Sequence, residues 1–168
     1  SNPVDIDDNN SYYCGKNERI LYVAHTFKDF EISANINGKF IWKSFLAENL
    51  APYFVSRPYH IIIPFKSNGE APELVKHDEL LENGFREEGS YFKKIFDLYN
   101  NNLTIYERLN FQRGLTNQRK YNYYCVYNHS GKNLCAAKIN AMNDKWIFYA
   151  KVYWYGSNDE SEIDYLVG

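Results

Sequence analysis

The chain reads as an α+β protein, a mixed or antiparallel sheet with a helical hairpin or long helix inserted between strands. Three observations carry that reading. Tyr59 to Phe65 is a run of β-branched and aromatic residues held between Pro58 and Pro64. Phe92, Ile95, Phe96, Tyr99, Leu103, Tyr106 and Leu109 recur at spacings of three and four, one apolar helical stripe. The last third holds consecutive aromatic-rich strand segments separated by turn residues.

Taken in order, residues 1–18 are polar and rich in Asn and Asp, a disordered or extended N-terminal segment. Ile20 to His25 reads as a strand. Glu31 to Ile41 reads as a hairpin turning at Asn37-Gly38, a pair that tolerates positive φ. Trp42 to Leu50 is a short helix candidate stopped ahead of Pro52. Lys66 to Pro72, with Asn68-Gly69, reads as a tight turn, and Asp78 to Glu82 as a short helix closing near Gly84. Ser90 and Gly114 are the expected cap and stop of the long helical stretch, which the Asn100-Asn101-Asn102 run divides. Tyr121 to Tyr127, Leu134 to Met142 and Lys145 to Tyr155 then read as three strands. The third is aromatic on both faces, which predicts a central or doubly covered position.

The chain has 168 residues, enough for one ordinary domain, and 45% of them are hydrophobic, enough for a core. The longest apolar run, His60 to Phe65, is strand-length and far below the ~18 residues of a membrane helix. The N-terminus has no basic start or hydrophobic stretch of the signal-peptide kind. Cys14, Cys125 and Cys135 are odd in number and unclustered, which favours free thiols in a reducing cytoplasm. The net charge of −2 is unevenly spread: residues 86–151 hold 11 basic and 5 acidic groups, and acidic segments flank them. A basic stretch of this kind is either a phosphate contact or a solvated face.

Catalytic patterns are absent. No Asp-x-Lys or Glu-x-Lys occurs, against a metal-dependent nuclease. His25, His60, His77 and His129 are scattered, and no Gly-x-Ser-x-Gly elbow or phosphate-binding glycine loop is present. What stands out is the segment from Arg108 to Tyr127. Arg113, Arg119 and Lys120 suit phosphates, and Asn117 and Gln118 suit adenine edges. Tyr121, Tyr123 and Tyr124 suit stacking on bases or sugars. The structural alternative is a solvated loop after a helix whose C-terminus favours cations.

The order of these segments resembles the C-terminal specificity (target-recognition) domain of TaqI-like and Eco57I-like adenine-N6 DNA methyltransferases of restriction–modification systems. The similarity starts at Phe45 to Phe65, ending in the pair Pro64-Phe65. It continues through the acidic helix at Glu79 to Phe85 and the helical stretch Ser90 to Gly114, with Leu109 and Arg113 at a Leu-x-x-Arg-like element and Arg108 competing. It then runs through Tyr121 to Tyr124, Lys138-Ile139 and Asp164 to Gly168. Ser90-Tyr91 stands where the family has Tyr-Pro, and tyrosines stand where it has a tryptophan. The resemblance implies one recognition domain over 19–168, cut at its C-terminal end, that grips double-stranded DNA. Methyl transfer would belong to an upstream methyltransferase domain of the same polypeptide, with or without a fused nuclease. S-adenosylmethionine would then serve that domain, leaving this segment without a cofactor or catalytic residue of its own. The competing expectation is an assembly module of a restriction or phage-defence system without DNA contact.

Overall fold

The computed structural model describes residues 5–14, 32–66, 73–99, 102–118, 120–129, 134–148 and 152–168. The class is α+β, with small antiparallel sheets and short helices. In chain order the strands and helices are β1 (Ser11–Cys14), β2 (Ala34–Asn37), β3 (Ile41–Ser44), β4 (Leu50–Ala51), β5 (Phe54–Val55), β6 (Tyr59–Ile62), β7 (Phe65–Lys66) and β8 (Glu73–Leu74). There follow α1 (His77–Glu82), α2 (Arg86–Leu98), α3 (Ile105–Leu109), α4 (Gly114–Asn117), β9 (Tyr123–Asn128), β10 (Ala136–Asn140), β11 (Val152–Ser157) and α5 (Glu160–Val167). Among the described residues no helix is long and apolar enough to cross a membrane. The chain divides into two compact units, each made of segments distant in sequence. The helical unit contains Asp5–Ile41 and Ile61–Asn117; the sheet unit contains Trp42–His60 and Gln118–Gly168.

In the helical unit, β2 pairs with β1 and not with the strand that follows it, with Ile36 opposite Tyr12. Within the N-terminal segment read as disordered or extended, Ser11–Cys14 is a strand. Asn37-Gly38 makes no hairpin: the Asn37 side chain accepts from Lys39 N and caps a 3-10 turn over Gly38–Phe40. Gly38 is required there for space, because a Cβ would lie 2.0 Å from the Asp7 carbonyl oxygen. Its N–H donates to Asn10 O at 2.8 Å, sealing the contact. Ile20–His25 lies outside the described residues, as do residues 67–72 of the expected tight turn. The strands flanking the latter, β7 and β8, pair antiparallel.

Helix α1 forms as expected and closes at Gly84, which has a φ of +85°. Helix α2 begins at Arg86, so Ser90 lies inside it and is no cap; Glu87 and Glu88 occupy its first turn, where acids suit the helix dipole. Tyr91, Phe92 and Ile95 are its buried stripe. Burying each side chain of this size stabilises by ~1.5–3 kcal/mol. The Glu88 carboxylate is itself buried and accepts from the Asn37 N–H at 2.7 Å, fastening α2 to β2. The helical stretch does divide. It restarts at α3 under a capping box in which Thr104 Oγ1 accepts from Glu107 N while the Glu107 carboxylate accepts from Thr104 N. Gly114 opens α4 and does not stop a helix.

A buried polar pair joins α1 to α3. The Tyr106 hydroxyl accepts from the His77 backbone N–H at 2.8 Å and lies 2.9 Å from His77 Nδ1. His77 Nε2 lies 3.4 Å from the Asp78 carboxylate. Burial pushes the Tyr106 phenol up to about 12.

In the sheet unit the strand order is β10-β9-β11, all antiparallel, so β9 is central and β11 an edge of this sheet. This corrects the expectation of a central final strand: Tyr153 and Tyr155 are exposed on it. Trp146 to Phe148 are buried. Lys43 N donates to Lys145 O at 2.7 Å, and Ile147 N to Lys43 O at 2.9 Å. Those bonds explain why Trp42 to Leu50 is not a helix: its backbone is satisfied by a neighbouring strand, leaving only a 3-10 turn at Ala47–Asn49. The core gathers Phe45, Leu50, Tyr124, Val126, Ala137, Ile139, Trp146, Phe148 and Val152 on one sheet face. Helix α5 covers part of the other. Lys138 reaches Glu160 at 3.0 Å and Asp164 at 2.5 Å, while Glu162 accepts from Tyr155 Oη at 2.8 Å and Ser157 Oγ at 2.6 Å. The bonds from Ser157 and Tyr155 hold the Glu162 carboxyl below its usual range. The three cysteines are free thiols.

Two outcomes follow from these contacts. Gly38→Ala must displace backbone and costs about 1–3 kcal/mol in urea denaturation, whereas Gly114→Ala, with nothing within 4 Å of its Cβ, costs nothing. Tyr106→Phe strands the His77 N–H and costs about 1–3 kcal/mol at neutral pH. The unfolded phenol ionises near pH ~10, and the native one only at about 12. The tyrosine's contribution is thus complete below the lower value and is lost as pH rises toward the upper one. Stability measured across that window falls more steeply for the parent chain than for Tyr106→Phe.

Candidate nucleic-acid interface

The boundary between the two units falls, in sequence, inside the segment singled out for phosphate and base chemistry. Arg113 and Asn117 belong to the helical unit, and Gln118 to Tyr123 to the sheet unit. Arg113 follows Gln112, and both are exposed with positive φ, 58° and 52°. Non-glycine residues rarely adopt that conformation. The turn is held by Arg113 N donating to Asn110 O at 2.9 Å and by Thr116 N donating to Asn110 Oδ1 at 3.2 Å. Asn117 is half-buried at the end of α4. Arg119 lies outside the described residues.

Gln118 departs from its expected role. Its side chain is buried, with Nε2 donating to Phe148 O at 3.1 Å and Oε1 accepting from Phe148 N at 2.6 Å. Both halves of the amide are engaged by one backbone position, so none is left for an adenine edge. Sequence reasoning could not see which way the side chain faces.

The buried ring of Tyr124 organises the loop that leads into β9. Its hydroxyl donates to Gln118 O and accepts from Tyr121 N at 3.1 Å. Asn122 N donates to Asn158 Oδ1 at 3.0 Å, and Asn122 O accepts from Ala141 N at 2.8 Å. Tyr121 lies edge-on to Tyr124 and against Gly156, where a Cβ would fall 2.2 Å from the tyrosine ring. The loop is thus fixed on three sides, and it leaves Lys120 and part of Tyr121 exposed. Tyr123 is half-buried on the sheet face opposite the core, in register with Asn140 and Ser157.

Sequence reasoning missed a second exposed group in the same unit. The β4–β5 hairpin turns through Pro52 and Tyr53, and Tyr53 has a φ of 72°. Proline sets φ near about −65°, so the pair has the signature of a type II turn, whose second position favours Gly or Asn. A tyrosine there costs ~1–2 kcal/mol. Tyr53 and Phe54 are 67% and 58% exposed. Arg57, also exposed, has a φ of 49°. The legible signal was Pro52-Tyr53-Phe54 itself, an aromatic pair after a turn-forming proline.

Among the described residues no three carboxylate, imidazole or thiol groups gather to hold a metal ion. No family model, curated protein or solved structure matches the chain.

If Gln118 serves the interior, Gln118→Ala removes the two hydrogen bonds that its amide makes to the buried Phe148 backbone. The variant loses about 2 kcal/mol of stability in urea denaturation. A stability equal to that of the parent chain would return Gln118 to the surface.

Proposed function

We propose that this chain is the DNA-recognition domain of an adenine-N6 DNA methyltransferase of the restriction–modification kind. It grips duplex DNA while a separate upstream domain transfers the methyl group. The observation that carries the reading is the braced loop after Gln118. A cation, Lys120, and a ring, Tyr121, stand next to each other and exposed, and the Tyr121 and Asn122 amides are already bonded, to Tyr124 Oη and Asn158 Oδ1. A loop of that build meets phosphate and base without a further ordering cost. The resemblance of the segment order to target-recognition domains supports the same reading. S-adenosylmethionine belongs with the upstream domain, and no residue of this chain is assigned to it.

The test is titration of the folded chain with duplex DNA at low salt. Binding weakens as salt rises, because phosphate contacts release counterions. Lys120→Ala weakens binding to all sequences and lowers the salt slope by about 1. Tyr121→Ala weakens binding by about 10-fold. A folded sample that binds no duplex at low salt, and self-associates independently of salt in sedimentation, contradicts the reading in favour of an assembly module.

A further inference from the structure

We propose that the β4–β5 turn is a second DNA contact, in which Tyr53 and Phe54 stack on bases and Arg57 meets the neighbouring phosphate. This rests on the DNA reading above and adds an element that the sequence did not single out. Exposure of one aromatic side chain carries no message. Here two adjacent exposed rings lie on one short hairpin with an exposed arginine two residues beyond it, and two of those three residues hold left-handed backbone. Glycine or asparagine would relieve that strain, so folding does not call for tyrosine at position 53.

The turn is also rigid. Tyr53 N donates to Ala136 O at 2.8 Å, which seats the turn on the β10 edge. Ser56 N and Oγ both donate to Asn49 O, at 2.8 and 2.9 Å, which closes the base of the hairpin. Within Trp42–His60, Lys43 is paired with Asp144, and Arg57 is the other cation. Glu48 is the one acid of that segment and lies ahead of β4, not on the turn. Apolar and aromatic tips beside a guanidinium suit a base step flanked by phosphates.

Tyr53→Gly is the informative variant, since it removes the ring and supplies the residue that the left-handed position favours. Duplex DNA carrying 2-aminopurine is titrated at low salt, with the thermal midpoint measured alongside. The expected result is an unchanged or higher midpoint, a loss of affinity of about 10-fold, and loss of the 2-aminopurine signal change. Phe54→Ala, at an exposed site, gives the same comparison if the glycine variant folds poorly. If both variants bind as the parent chain does, the turn is no DNA contact and the DNA reading stands. If the parent chain does not bind at all, the DNA reading falls and this inference with it. Unchanged DNA affinity together with lost self-association makes the turn a protein contact and overturns the proposal.

Discussion

The phenol of Tyr124 connects the interior of the sheet unit to its surface. Its ring is buried, 5.0 Å from Phe148 and 5.8 Å from Trp154 in edge-on contacts, and its hydroxyl spans Gln118 O and Tyr121 N. Removing a buried aromatic ring of this size costs ~3–5 kcal/mol, against roughly 1 kcal/mol for a single hydrogen bond. The packing therefore decides where the hydroxyl sits, and the hydroxyl decides the path of the loop. Gln118 repeats the arrangement from the other side, with its amide clasping the backbone of Phe148. Lys120 and Tyr121 inherit their position from the core, which is how a short loop presents functional groups in fixed geometry.

Two hydrogen-bonded polar pairs inside contrast with strain outside. Glu88 with Asn37, and His77 with Tyr106, are buried pairs in which each named donor has an acceptor. Among the described residues, the non-glycine positions with positive φ are Tyr53, Arg57, Gln112 and Arg113, and all four are exposed. Each costs ~1–3 kcal/mol. Three of the four are a tyrosine or an arginine, side chains suited to bases and phosphates. Strain placed on such residues, and kept out of the core, is the pattern expected where binding competes with stability.

Elements whose pattern depends on local chemistry were legible in the sequence. The α1 helix, the division of the long helical stretch and the β9–β10 hairpin follow from apolar spacing and turn residues. Elements decided by distant partners were not. Trp42 to Leu50 has a helix-length window, but Lys43 is claimed by residues 145 and 147. Asn37-Gly38 has the composition of a hairpin, but β2 pairs backward with β1. In the candidate site, residue types were legible and directions were not. Gln118 turns inward because Phe148 offers it both a donor and an acceptor, a fact about residues thirty apart in sequence. At the Tyr53 turn the Pro52-Tyr53-Phe54 string was legible, but the positive φ at Tyr53 was not.

The central claim is that a braced surface loop of the sheet unit meets duplex DNA. Amide chemical-shift mapping of the full chain during titration with a short duplex at low salt tests it most directly. The account predicts progressive shifts at Lys120 and Tyr121, with Gln118 and Phe148 remaining protected from hydrogen exchange as their buried hydrogen bonds require. Shifts confined to α5, or no shifts at all in a folded sample at saturating duplex, would contradict it.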